Sequence, residues 1–252
     1  MSRLVCALLA VALILGPVRA SAVPAGSVVD FDELAARQAR HQFEELAGQA
    51  EQRGTLPRLT DPVAGPALRA IWNAGLVVPG RRFTRGQGLA LAGLCQAGGL
   101  TVARYVTFRA RDFDDPAVAG NFLMFQAEIV EGMDFTLRCS VAMLEVSSDF
   151  MRNLPPERLT DPIKADADEV RQGVVQNISG ALRLVREGYL RPAAIARLAG
   201  TLRENAERLA RNLPEGERRD LAVLARSLVA TAGPSSGADL EAFAKTMDAP
   251  DP

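Results

Sequence analysis

Apolar residues recur at helical spacing over most of this chain. Phe31, Leu34, Ala35, Phe43, Leu46, Ala47 and Ala50 keep one face of a helix. Asp30 and Glu33 supply the two halves of a capping box at its start, Gly54 ends it and Pro57 lies beyond. Asp61-Pro62 predicts a second, short helix that runs toward Gly75, with Leu68, Ile71 and Trp72 inward. Sharing helical spacing with Leu68 assigns Trp72, the single tryptophan, to the core.

Thr84 caps a Gly- and Ala-rich helix whose natural end is Gly98-Gly99. Between Leu100 and Phe108 the pattern is ambiguous. Val102, Val106 and Phe108 share a face, Arg104 interrupts it, and strand and short helix remain open. Asp114-Asp115-Pro116 then opens a long apolar stripe through Val118, Phe122, Phe125, Ile129, Met133, Val141 and Leu144. A kink is expected near Gly132, and Pro155-Pro156 stops the helix. Residues 162–188, 192–212 and 217–232 each place Leu, Ile, Val and Ala at helical spacing, with Arg and Glu on the outer face. Gly233-Pro234-Ser235-Ser236-Gly237 reads as a joint, so residues 233–252 are expected to be a flexible tail, with at most a turn or two of helix at 239–247.

The fold class that follows is all-α (mostly α), a multi-helix bundle of about six to eight helices, with room for a minor β element around residues 76–110. One helical domain is expected over residues 23–232; if the core divides, the seam lies near 154–161. Arg-Leu-Thr-Asp-Pro occurs at Arg58–Pro62 and again at Arg158–Pro162. The flanks do not repeat, so both copies read as helix punctuation rather than duplication.

The N-terminus changes the picture. Met1-Ser2-Arg3, the apolar run Leu4–Gly16 and the small-residue site Ala20-Ser21-Ala22 are the parts of a secretory signal peptide, residues 1–22, with cleavage after Ala22. Cys6 sits inside the apolar run rather than after a small residue at its end, which argues against lipid attachment. No later stretch reads as membrane-spanning. Removing Arg3 and Arg19 with the leader moves the net charge from -1 to -3. The mature chain is then expected in the bacterial periplasm or secreted. Its near-neutral balance argues against nucleic acid as a partner.

Cleavage also leaves two cysteines, Cys95 and Cys139, on apolar helical faces. In an oxidising compartment that count predicts a disulfide, in preference to two separate buried thiols. A single histidine, His41, leaves no set of His ligands for a metal, and no cofactor fingerprint is present. His41 reads as part of a solvated helix face beside Glu44 and Glu45.

One arrangement suggests a ligand. Arg81, Arg82 and Arg85 crowd the start of the helix after Thr84, where their charge opposes the helix dipole and an anion would relieve it. Arg104, Arg109 and Arg111 are expected to join them if the chain folds back. The competing and preferred reading is an ion-pair patch with Asp112, Asp114 and Asp115. The sequence therefore predicts an exported helical protein, most simply a non-catalytic binder of an unknown envelope partner. The alternatives are a small-anion or polyanion binder through the arginines and a hydrolase built on carboxylates such as Asp114 and Asp115.

Overall fold

A computed structural model describes residues 33–77, 83, 85–112 and 115–250. The expected signal peptide, residues 1–22 with Cys6, lies outside them. The described residues form ten α-helices and no strand. In chain order these are α1 (Glu33–Gln52), α2 (Ala64–Ile71), α3 (Arg85–Val106), α4 (Ala117–Met124), α5 (Gln126–Asn153), α6 (Asp161–Glu187), α7 (Pro192–Asn212), α8 (Glu215–Arg226), α9 (Val229–Ala232) and α10 (Pro234–Met247).

The punctuation behaves as the sequence predicts. Gly54 and Gly188 take left-handed conformations, φ 81° and 73°, at the ends of α1 and α6. Asp61 Oδ1 accepts the Val63 and Ala64 N–H groups at 2.8 and 3.1 Å, satisfying free donors at the start of α2. Asp161-Pro162 opens α6, so both copies of the pentapeptide begin helices.

Three boundaries differ from expectation. The region left open to a β element is helical: α3 runs without a break from Arg85 to Val106, through Gly98-Gly99. The long apolar stripe breaks at Phe125 rather than at Gly132. Phe125 leaves the helical conformation while its ring is buried edge-on to Tyr105 and Phe108, with centroids 5.4 Å away in each case. The expected flexible tail contains α10, whose Leu240, Phe243, Ala244 and Met247 are buried against α7 and α8. Gly233 at φ 81° makes the turn, and Pro234 stands in the first turn of α10, where its missing N–H costs nothing.

The long helix α5 is the axle, and α3, α6 and α7 all pack on it. One apolar core takes residues from both sides of 154–161, from Phe43 to Met247. Along α3, Cys95 faces Cys139, Gly98 faces Phe135 and Val102 faces Gly132, so α3 and α5 run antiparallel. Along α7, Arg197 meets Glu131 and Arg208 meets Glu145, so α7 runs parallel to α5. From residue 87 to 106, α3 is long and apolar enough to cross a membrane by length and composition, which the sequence reading did not anticipate. Here it lies in the core, with Leu91, Leu94, Cys95, Val102, Tyr105 and Val106 buried. Between Leu144 and Gly173, by contrast, no residue is buried. The far ends of α5 and α6 thus add no buried side chain to the core and are tied to the body by polar contacts, Arg152 to Asn212 at the end of α7 and Arg171 to Glu217 of α8.

Candidate functional site

Three groups of residues are built with enough order to be functional. The first is the α3/α5 seam. Cys95 and Cys139 stand at disulfide distance, Cα to Cα 5.5 Å, and each is 1 % exposed. Glycines allow the close approach. A Cβ on Gly98 would lie 2.5 Å from the Phe135 ring, and one on Gly132 would lie 2.3 Å from Val102 and 2.8 Å from the Trp72 ring. Trp72 is buried and donates its Nε1–H to the Gly98 carbonyl at 3.2 Å, which fixes the seam from outside the two helices.

The second is a charged seam between α5 and α7. The Asp134 carboxylate accepts from Arg197 Nη2 at 2.9 Å, from Arg138 Nε at 3.2 Å and from the Thr201 hydroxyl. Arg197 also reaches Glu131, and Arg138 reaches Glu204 at 2.8 Å. Pairing with Glu131, ahead of Asp134, holds the Arg197 guanidinium above its ordinary pKa. Two turns on, Arg208 forks onto Glu145 through Nε at 2.8 Å and Nη2 at 2.5 Å, and it donates to Asn205 at 2.8 Å. These charges are satisfied by one another. Their chemistry is to hold α5 and α7 in one register.

The third is a corner where residues 57–63 meet the α4/α5 junction. Glu128, buried at 2 % exposure, accepts the Leu59 N–H at 2.8 Å and Arg58 Nη1 at 3.2 Å. Arg58 also donates to the Met124 carbonyl and lies 4.5 Å over the Phe125 ring. Tyr105 donates to the Pro57 carbonyl at 2.7 Å; burial first, and Glu128 second, push its hydroxyl pKa far up. Val63, Leu123 and Met124, on the two segments these contacts join, are 56, 61 and 52 % exposed. The sequence reading missed Glu128 and Arg58 because they are ordinary charges until the loop folds onto the junction. A Glu within an apolar stripe, at Glu128, is the one signal that was available.

The predicted arginine site fares differently. Arg81, Arg82 and the Arg85 side chain lie outside the described residues. Their expected companions each have contacts of their own. Arg104 stands at the opposite end of α3 from Arg85, about 28 Å away at the helical rise, where it pairs with Glu44 and Glu51 of α1. Arg109 lies 5.2 Å over the Phe108 ring, and Arg111 pairs with Asp115 at 3.2 Å. Asp114 is also outside the described residues. Asp115 accepts the Ala117 N–H at 2.9 Å, and this bond, followed by those from Arg111, holds its carboxyl below the ordinary value. A general acid needs the opposite shift. His41 is exposed, 3.5 Å from Glu45 on the α1 surface. Among the described residues no group of three or more His, Cys, Asp or Glu is placed to hold a metal ion.

Comparisons with protein-family models, with curated proteins and with solved structures give no match to this chain.

Proposed function

We propose that the chain is exported and acts in the bacterial cell envelope as a disulfide-stapled helical body that binds a protein partner, without chemistry of its own. The observation that carries this reading is the Cys95–Cys139 pair. Once the leader is removed these are the only two cysteines, and they lie side by side in the core at the 5.5 Å Cα separation a bridge requires. The surface offered to the partner is the corner of Val63, Leu123 and Met124. Exposed apolar side chains beside a hydrogen-bonded, buried base support this choice.

The test begins with the natural gene in a bacterial host. Fractionation is expected to place the chain outside the cytosol, with its N-terminus near Val23 and no alkylatable thiol. An intact Met1 on a cytosolic form, or two reactive thiols in the denatured native isolate, overturns export. A photocrosslinker at Leu123 is expected to capture one defined envelope protein, and the same probe at the exposed Val223 is not. Equal labelling from both positions overturns the assignment of the corner.

A further inference from the structure

The sulfur pair lies behind a seam with no room for a reagent. Both cysteines are 1 % exposed. One helical turn from them Gly98 lies against Phe135, closely enough that even a methyl group would collide. Thiol–disulfide exchange proceeds through a mixed disulfide, with the attacking sulfur in line with the bond it breaks. A protein active site, or even a small thiol, cannot reach either sulfur while α3 is seated on α5. We propose that Cys95 and Cys139 are a modification site for a thiol–disulfide oxidoreductase that acts on the open chain, before α3 and α5 pack, and that packing then seals the bridge against thiol reductants. This rests on the export reading above, which supplies the oxidising compartment.

The step balances. The Cys95 thiolate attacks the enzyme's disulfide, forms a mixed disulfide and releases one enzyme thiolate. The Cys139 thiolate then attacks the Cys95 sulfur and expels the second enzyme thiolate. Two electrons pass to the oxidoreductase, and the two thiol protons end on its sulfurs. Cys95 lies 44 residues ahead of Cys139, so it is the first to leave an N-terminus-first export channel and the one that waits as the mixed disulfide.

The test uses the full mature chain as isolated from cells. Excess dithiothreitol is added, aliquots are alkylated, and modified cysteines are counted by mass. Reduction of the native protein is expected to be at least about a hundredfold slower than in denaturant, because opening must come first. Similar rates in the two conditions overturn the sealed seam. In a second arm the reduced chain is refolded and then given a purified disulfide-donor oxidoreductase. Oxidation is expected to be at least about a hundredfold slower than when the enzyme is present from the start of refolding. Equal rates overturn the order of events; a reduced chain that stays unfolded supports it, since oxidation then necessarily precedes packing. The two readings fail separately. A native isolate whose thiols react only after denaturation removes export and leaves the shielding intact, whereas a bridge that is present but quickly reduced does the reverse.

Discussion

The same helix, α5, is held on its two sides by opposite means. Toward α3 the contact is dry and sterically exact to within a methyl group: Gly98, Gly132, Phe135, Val102 and the sulfur pair. Toward α7 it is ionic: Asp134, Arg138, Arg197, Glu145 and Arg208. Steric fit is intolerant of added volume but indifferent to acid and salt. Ion pairs tolerate changes of shape but depend on both partners being present. The molecule therefore has one seam that sets distance and another that sets register.

The comparison can be broken from either side. The largest effect is expected on replacing both cysteines by alanine, which removes the restraint on a loop of about 45 residues and lowers unfolding free energy by ~4 kcal/mol in the chain-entropy account; a denaturant melt reads it. Next, Asp134→Ala takes from Arg138 and Arg197 one of the two carboxylates each reaches, and from the Thr201 hydroxyl its acceptor, at a site only 6 % exposed; a cost of about 2 kcal/mol is expected by the same measurement. Gly132→Ala drives a methyl group into Val102 and Trp72 and is expected to cost about 2 kcal/mol, with a change in Trp fluorescence that Asp134→Ala does not produce. The joint replacement of Glu145 and Arg208 by leucine removes a pair rather than half of one, and a shift within about 1 kcal/mol is expected. A large loss there would mean that the ionic seam contributes more than register.

The smallest effect is acid-dependent and lies outside both seams. The Ala64 N–H, then that of Val63, holds the Asp61 carboxyl below its ordinary value of 3.8. Its contribution is complete above that value and is lost as pH falls through the lower folded value. In Asp61→Asn this part of the acid limb is expected to disappear, read by amide exchange in α2.

Helical class was legible because amphipathic period survives in the long elements other than the Gly- and Ala-rich α3. The C-terminal helices, the cap at Asp61, the helix start at Asp161-Pro162 and the core assignment of Trp72 needed no tertiary knowledge. The errors share a cause. Gly98-Gly99 signals a helix end by propensity, yet Gly98 stays helical because Phe135 needs the space a side chain would fill. Gly237 looks like part of a flexible joint, yet it continues α10 where a Cβ would stand 2.6 Å from the Val229 carbonyl oxygen. Arg197 and Arg208 read as solvent-facing because a charge turned inward is distinguishable only by its partner, and Asp134 and Glu145 lie more than sixty residues away. The exposed apolar pair was equally hidden: Leu123 and Met124 lie between Phe122 and Phe125 of the stripe, and period alone does not say which apolar neighbours stay exposed.

The stretch between Leu144 and Gly173, which buries no side chain, has a practical consequence. Its turn, Pro156–Arg158, joins the ends of α5 and α6, and the residues of the turn are exposed. That turn can carry an inserted epitope or fluorophore at little expense to the apolar core. A tag placed there reports the molecule's orientation on whatever surface it occupies.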